Sequence, residues 1–238
     1  MQDVTRKLDP AYLVPFFAAL LVIAVPAFWP TYFAPGFGAS GGYVHLHAVS
    51  ATLWMLMLIS QPLLIRRYQF DLHRKLGTVS YVLAPLVVIS MLLLANYRVR
   101  NVSAENYQVQ TYVLFLQFSL AALFATSYGL AIWFRKQTDI HARFMVCTAL
   151  TLIDPIFARL FFTIHPDSVI YHQWFTYGLT DIVFIVLIWF DRKNVAARSV
   201  FLTMLALFLA LQIPALLWLT EWNVWQAFAR WFQSLPLT

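Results

Sequence analysis

The sequence predicts an all-α membrane protein: a bundle of seven transmembrane helices followed by a C-terminal amphipathic helix in the membrane interface. Of its 238 residues, 61% are hydrophobic and only 11% are charged. Soluble domains average about 45–50% apolar and about 25% charged residues. A helix that crosses the bilayer needs about 20 residues, so the length fits seven spans with short connections. The whole chain is therefore predicted to be a single transmembrane domain, residues 1–238, with the lipid bilayer as its partner.

Apolar runs bounded by charged residues, prolines and glycines define the spans. They are predicted at about 10–29, 44–65, 76–95, 109–134, 142–164, 171–190 and 199–219. After the last span, four aromatic residues recur at helical spacing: Trp222, Trp225, Phe228 and Phe232. Aromatic side chains on one face of a helix with polar residues on the other are typical of the membrane interface. This pattern predicts the interfacial helix at about 221–233.

The distribution of basic residues predicts the orientation. Twelve Lys and Arg residues fall on one side of the predicted spans and three on the other. The twelve are Arg6, Lys7, Arg66, Arg67, Arg74, Lys75, Arg135, Lys136, Arg143, Arg192, Lys193 and Arg198, and the three are Arg98, Arg100 and Arg230. Because cytoplasmic loops carry the excess of positive charge, we expect a multi-pass protein of the cell membrane, with its N-terminus in the cytoplasm and its C-terminus outside. No basic run is longer than a pair such as Arg66-Arg67, so the net charge of +6 reflects topology and excludes nucleic acid as a partner.

Polar side chains inside the spans are the strongest functional signal, because polar groups are costly in lipid. Asp154 lies about ten residues from the outer end of the fifth span, and Asp181 about nine from the outer end of the sixth. At 1.5 Å per residue, both carboxyl groups should lie about 13–15 Å below the outer surface. Gln117 and Gln212 fall at a similar depth in the fourth and seventh spans. Four spans therefore contribute to one layer of hydrogen-bonding groups.

Arg159 lies nearer the outer surface, on the same span as Asp154. Between them, Pro155 frees a backbone carbonyl and predicts a kink. Since an arginine keeps its charge, we expect an ion pair between Arg159 and Asp154 or Asp181, directly or through water. In the structural interpretation, such a pair neutralises two charges in the low-dielectric interior and has no further role. The functional alternative is a cavity, open to the outside, in which an aspartate binds or relays a proton, a cation or a polar head group.

The histidines form two groups. Four flank the outer ends of spans two, five and six: His45, His47, His165 and His172. Two open spans three and five at the inner face: His73 and His141. Neutral imidazole binds zinc, copper or iron, so the outer group is a candidate metal site. The inner pair, at equal depth, is a candidate pair of axial ligands for haem b. Solvated helix ends and contacts with lipid head groups are the alternative for both groups.

The segment Leu72–Gly77, LHRKLG, resembles the His-x-x-Leu-Gly opening of a central helix in transmembrane diheme b-type cytochromes, which include ascorbate-dependent ferric reductases. In that family the ligands lie on four consecutive core helices, two per haem. The resemblance implies that His73 and His141 form one ligand pair. The second pair is not matched, because span four contains no histidine.

Residues 45–160 more broadly resemble a group of uncharacterised bacterial multi-pass membrane proteins. The similarity lies in His47 to Trp54 and Gln61, in the HRKLG segment, and in His141-Ala-Arg-Phe-Met followed by Pro155 and Arg159. This resemblance implies no established activity.

Three functions agree with these patterns. The first is a redox protein that binds haem b or a divalent metal through histidines and exchanges electrons with quinone. The second is a carrier or sensor of a small polar ligand or a proton, with a cavity lined by Asp154, Arg159 and Asp181. The third is a noncatalytic accessory or assembly subunit that docks on another membrane protein through its aromatic C-terminal helix. A Soret band in the absorption spectrum of the purified protein would distinguish the first from the other two.

Overall fold

The computed structural model describes residues 8–36, 38, 40–164, 169–195 and 197–238. Seven helices in this part of the chain are long and apolar enough to cross a membrane: Pro10–Phe33, Gly42–Arg66, Phe70–Arg100, Ala104–Trp133, Thr138–Ile164, His172–Asp191 and Ser199–Leu216. The predicted helical bundle with seven candidate spans is confirmed. The third helix begins at Phe70 rather than near residue 76, because residues 71–75, which include Asp71, Arg74 and Lys75, continue the helix instead of ending it.

The individual helices are numbered in chain order. They are α1 (Pro10–Phe28), α2 (Gly42–Arg66), α3 (Phe70–Arg100), α4 (Tyr107–Trp133), α5 (Thr138–Leu150), α6 (Ile153–Ile164), α7 (Val169–Asp191), α8 (Ser199–Leu216) and α9 (Asn223–Ser234). A π-helical turn, Trp29–Phe33, extends α1. Short 3-10 turns, Ala104–Asn106 and Leu219–Glu221, precede α4 and α9.

The fifth span is interrupted between α5 and α6, as its proline predicts. Pro155 has no N–H and cannot donate to the carbonyl of Thr151, and its ring crowds that carbonyl. The Thr151 hydroxyl turns back to donate to the carbonyl of Thr148 at 2.7 Å. The interruption places Asp154 in the first turn of α6, where an acidic side chain interacts favourably with the helix dipole.

Short connections make consecutive helices antiparallel neighbours. α2 packs on α3, α4 on α5 and α6 on α7, while α1 lies against both α2 and α6. Small side chains allow close approach at the α2–α3 seam, where the hydroxyls of Ser50 and Ser90 lie 2.9 Å apart. The connections 67–69, 134–137 and 192–198 define what we call the basic end of the bundle. The opposite end, which carries residues 219–238, is the C-terminal end.

The bundle is apolar outside and partly polar inside. Large apolar side chains such as Val22, Val82 and Ile182 are 60–72% exposed, while Ser90 and Thr176 are fully buried. Contiguous exposed apolar surface on this scale is unusual for a soluble protein. This distribution supports lipid as the solvent of the outer surface.

Helix α9 packs across α3 and α4 at the C-terminal end. The Phe118 ring of α4 lies edge-to-face against Phe228 at 5.2 Å and Phe232 at 4.9 Å. The Asn96 amide of α3 donates to the carbonyl of Phe232 at 2.7 Å. Part of the aromatic face of α9 therefore contacts the bundle itself. Trp222, which the spacing assigned to this face, precedes the helix and is exposed.

A buried ion pair at the basic end was not anticipated from the sequence. The sequence analysis counted Arg143 among the basic residues of the connections, but its side chain is fully buried in α5. Its Nε donates to Asp191 Oδ2 at 2.5 Å, its Nη2 donates to Asp191 Oδ1, and its Nη1 donates to the carbonyl of Asp139 at 2.7 Å. Because α5 begins at Thr138, Arg143 lies in its second turn rather than in a connection. Its charge is neutralised inside the protein and does not mark a membrane surface.

Candidate functional site

Asp154 is the centre of a buried hydrogen-bond cluster between α6 and α7. Its side chain is 6% exposed. One carboxyl oxygen, Oδ1, accepts from Gln173 Nε2 at 2.7 Å and from Thr176 Oγ1 at 2.5 Å. Both donors are neutral and come from α7. Within the described ranges no Lys, Arg or His forms an ion pair with this carboxyl group.

A cavity of about 20 Å³ adjoins Asp154 between α4, α6, α7 and α8. Its polar lining includes Asp154, Tyr177, Thr180 and Gln212, and leucine and phenylalanine side chains line most of the rest. A cavity needs about 10–15 Å³ of accessible volume to hold one water molecule. It therefore has room for a water molecule, which would have several polar partners.

Gln212 connects this cavity to the second aspartate of the predicted layer. The Gln212 side chain is 4% exposed, and its Nε2 donates to Asp181 Oδ1 at 3.1 Å. Three members of the layer thus lie around one cavity: Asp154 and Gln212 line it, and Asp181 lies behind Gln212. Gln117 does not line it, and its buried Oε1 accepts no hydrogen bond from any residue that the structure describes.

The expected direct ion pair between Arg159 and an aspartate is wrong for the described residues. Arg159 Nη1 donates to the carbonyl of Pro155 at 3.0 Å, and the guanidinium lies over the ring of Phe28 in α1, 4.5 Å from its centroid. Asp154 and Arg159 are five positions apart, which on an α-helix places their side chains about 140° apart around the axis. Asp154 therefore faces α7 while Arg159 faces α1. Their charges still attract each other at longer range.

Arg98 and His47 join Arg159 at the C-terminal end. His47 Nδ1 lies 3.2 Å from the Ser90 hydroxyl, which fixes the ring between α2 and α3. The charges of Arg98 and Arg159 both act on His47, and the two arginines repel each other. The sequence analysis counted Arg98 among the basic residues of a connection. It lies in the last turn of α3, which continues to Arg100.

The other histidines predicted at this end have separate surroundings. His45 Nδ1 lies 3.0 Å from the hydroxyl of Tyr32. His172 packs against Phe161, with ring centroids 5.8 Å apart, and its buried Nε2 has no hydrogen-bond partner among the described residues. His165 lies outside the described residues. The described chain contains no group of three or more His, Cys, Asp or Glu side chains that could hold a metal ion.

The inner pair, His73 and His141, has surroundings more favourable for a metal or haem ligand than those of the outer histidines. His141 Nδ1 lies 2.8 Å from the carbonyl of Ala131, and since a carbonyl only accepts, this nitrogen donates, which leaves Nε2 as the nitrogen that a neutral ring would offer to a metal. Such a bond to a backbone carbonyl commonly orients a metal-binding imidazole. His73 lies within electrostatic range of His141, and its buried Nδ1 has no hydrogen-bond partner among the described residues. The two rings are thus within electrostatic reach of each other, and their ligation of haem b or a metal stays a prediction.

Helix α7 supplies four cavity and cluster residues that were not predicted: Gln173, Thr176, Tyr177 and Thr180. They fall at offsets of zero, three, four and seven residues, which is one face of an α-helix. Counting polar residues at this period along the sixth span would have found them.

These side chains can hold and pass a proton, because a carboxyl group, a phenol and amides meet at a cavity with room for water. The same cavity is too small for an organic substrate, since ligand pockets usually have volumes of about 300–1,000 Å³. Comparison with protein-family models, curated proteins and solved structures finds no match to this chain, so its function must be inferred from the geometry of these side chains.

Proposed function

We propose that this chain is a proton-responsive membrane protein, a carrier or a sensor, in which Asp154 takes up and releases the proton. The observation that carries the proposal is a buried carboxyl group beside a cavity with room for water, whose hydrogen-bond partners among the described residues are the neutral donors Gln173 and Thr176. A buried carboxyl without a paired cation is strongly sensitive to whether it holds a proton, because an unpaired charge is costly in a low-dielectric interior.

The surroundings of Asp154 support a path for that proton. A water molecule in the cavity would contact Asp154 and the Gln212 amide, and beyond that amide lies the half-buried Asp181. Tyr112 from α4 and Tyr177 from α7 interact electrostatically with Asp154, as does Arg159 on its own helix. The protonation of Asp154 is thereby coupled to groups from three helices. A change of charge at this carboxyl can alter how α6 and α7 pack.

Infrared difference spectroscopy across a pH titration tests the proposal. The protein in lipid nanodiscs is expected to show the C=O stretch of a protonated carboxyl that disappears as the pH rises. This band should be absent from Asp154→Asn, which retains the size and an acceptor oxygen. It should be unchanged in the matched control Asp71→Asn, since that carboxylate is exposed at the opposite end of the bundle. A band that is identical in the wild type and in Asp154→Asn would contradict the proposal.

The proposed function needs an orientation. We propose that the basic end faces the cytoplasm and that the C-terminal end, with α9 in the interface, faces outside the cell. Removing the buried Arg143 from the count leaves eleven basic residues against three, still a strong bias. Trp222, just before α9, and Val224 and Trp231 on it are 62%, 82% and 55% exposed, which gives this segment the character of an interfacial one.

Reporter fusions test this orientation. Fusions after Lys193 and after Thr238 are expected to report opposite sides of the membrane, because α8 separates them. A fusion after Lys136 is the control and should report the same side as Lys193. Identical results at Lys193 and Thr238 would overturn the topology, and reversed sides would overturn the orientation.

A further inference from the structure

A groove with a volume of about 260 Å³ lies between α3 and α4 on the outside of the bundle. Ala84, Pro85 and Ile89 line it from α3, and Ala125 and Tyr128 line it from α4. Pro85, Ile89 and Ala125 are exposed, so the groove opens on the apolar outer surface of the bundle. The occupant of such a groove comes from the bilayer, because a polar solute would lose hydrogen bonds by entering it.

Side chains that pack inward keep the groove open. The rings of Phe124 and Tyr128 lie edge-to-face against Trp54 of α2, at centroid distances of 5.0 and 5.5 Å. The Tyr128 hydroxyl lies 2.9 Å from the Ser80 hydroxyl of α3. Because these contacts draw both rings toward the interior, the small side chain of Ala125 is left at the surface. A chain that enters the groove does not have to displace an aromatic ring, which lowers the cost of binding.

The bond between Ser80 and Tyr128 also fixes how the two antiparallel helices are aligned. Lys75 on α3 and Trp133 on α4 each lie five residues from that bond toward the basic end, which is about 7–8 Å along the helix axis. Arg135 follows two residues after Trp133. Basic residues from both helices therefore reach the same level, beyond one end of the groove. Trp133 is 80% exposed at this level, as is typical where the apolar part of a membrane meets the head groups.

The two segments of the chain that border this end of the groove have an excess of positive charge. Segments 66–75 and 134–139 contain six basic and two acidic residues: Arg66, Arg67, Arg74, Lys75, Arg135, Lys136, Asp71 and Asp139. Arg74 lies eleven positions before Pro85, three helical turns away, and so on the face of α3 that lines the groove. Its contact with Asp71 is a long one of 3.7 Å between exposed side chains, and a guanidinium has further donors to offer.

We propose that the groove binds one acyl chain of an anionic phospholipid, whose phosphate contacts the basic residues of α3 and of the connection after α4. Guanidinium and ammonium groups bind phosphate oxygens, and clusters of Lys and Arg beside a membrane span attract anionic lipids. The dimensions agree with this arrangement. Pro85 lies ten residues, about 15 Å, from Lys75, which is half the hydrocarbon thickness of a bilayer. A chain whose head group lies at the basic end therefore passes through the groove.

A second copy of this chain is a less suitable occupant. Two copies in one membrane have the same orientation, so a copy in the groove would bring its own basic end beside Lys75 and Arg135 and add like charge. An anionic phospholipid brings the opposite charge. The inference goes beyond the proposed function, because the groove and the Asp154 cavity share no lining residue in the described part of the chain.

Photo-cross-linking of the wild-type chain tests this site. The full chain in maltoside micelles is mixed with a phosphatidylglycerol that carries a diazirine halfway along one acyl chain, and the cross-linked residues are mapped by mass spectrometry. We expect adducts within residues 84–89 and 124–128. Unlabelled phosphatidylglycerol should displace the probe at a concentration about tenfold lower than phosphatidylcholine with the same chains, because only phosphatidylglycerol has a net negative charge.

A groove-filling variant tests the contact with the acyl chain. Ala125→Trp places a large ring in the groove and is expected to weaken the apparent affinity for the probe by about tenfold. Ala206→Trp is the matched control: it makes the same change at an exposed position of α8, outside the lining of the groove, and should leave the affinity unchanged.

A pair of charge variants tests the contact with the head group. Arg135→Gln/Lys136→Gln should reduce the preference for phosphatidylglycerol over phosphatidylcholine by several fold, because it removes two of the charges at the end of the groove. Arg192→Gln/Lys193→Gln is the matched control, since these residues are exposed at the same end of the bundle but lie between α7 and α8. This control should keep the preference of the wild type.

Adducts spread evenly over the exposed helices would overturn the proposal, and so would displacement of the probe by both lipids at the same concentration. Equal affinities of Ala125→Trp and Ala206→Trp would overturn the groove as the site. A dimer in micelles that Ala125→Trp dissociates and Ala206→Trp does not would assign the groove to a second copy of the chain instead. Should the variants fold poorly, the map of adducts and the displacement measured on the wild type decide.

Discussion

Replacing Arg143 by alanine is expected to lower the free energy of unfolding by about 3–5 kcal/mol. The Asp191 carboxylate is 4% exposed and accepts two hydrogen bonds from this one guanidinium. Without Arg143 the carboxylate would remain buried with no cation bonded to it among the described residues, and the carbonyl of Asp139 would lose its side-chain donor. Removing one partner of a buried pair therefore costs far more than the net contribution of the pair.

The double variant Arg143→Leu/Asp191→Leu is expected to lower the free energy of unfolding much less than Arg143→Leu and Asp191→Leu do when their separate effects are added. Apolar side chains at both positions leave no uncompensated charge, and residues in direct contact are those for which additivity fails. The coupling free energy from this double-mutant cycle measures the interaction itself. If the single and double variants were simply additive, the pair would have no energetic role in the folded protein.

Unfolding in mixed detergent micelles, followed by tryptophan fluorescence, gives these free energies. Arg74→Ala is the matched control, because it breaks an ion pair with Asp71 whose N···O distance is 3.7 Å and whose side chains are exposed. An exposed pair contributes little, since water solvates both charges in either state. Stabilities of Arg143→Ala and Arg74→Ala that fall together near the wild type would contradict the structural role of the buried pair.

Arg143 and Arg159 show which features of this fold cannot be predicted from the sequence. Hydropathy and length were enough to predict seven spans, and the chemistry of proline was enough to predict the interruption before Pro155. Both properties are local to one helix. The partner of Arg143 lies 48 residues away in sequence, and no local pattern identifies it. Tertiary pairing depends on how helices are rotated against one another, which a single sequence does not specify.

Depth in the membrane and direction around the helix axis are separate coordinates. Residue counting places Asp154, Asp181 and Gln212 in one layer, and the structure gathers these side chains around a cavity. A direct ion pair was one of the two arrangements expected for Arg159 from its charge, yet this side chain faces α1. Periodicity supplies the missing direction when several polar residues share a face, as on α7. A single arginine provides no such pattern.

Two substitutions of Asp154 are expected to separate its role as an acceptor from its role as a charge. Asp154→Leu removes the 2.7 Å acceptor of Gln173 Nε2, which keeps only the longer contact with Thr176 Oγ1 at 3.3 Å among the described residues, and a buried N–H left without an acceptor costs about 1–3 kcal/mol. Thr176 is less affected, because its hydroxyl can donate to the carbonyl of Gln173, already 3.2 Å away. Asp154→Asn keeps an oxygen for both donors, so its stability should stay much closer to that of the wild type.

The same unfolding measurement in micelles decides between these effects, with Thr180→Ala as the control. Thr180 lines the same cavity, and its described hydrogen bond is to the carbonyl of Thr176 rather than to Asp154. We expect Asp154→Leu to be clearly less stable than Asp154→Asn and Thr180→Ala. If Asp154→Asn were destabilised as much as Asp154→Leu, the negative charge rather than the hydrogen bonds would hold α6 against α7. The stable Asp154→Asn protein that we expect would instead be folded and unable to exchange its proton, because an amide offers the same acceptor oxygen without a carboxyl group that titrates.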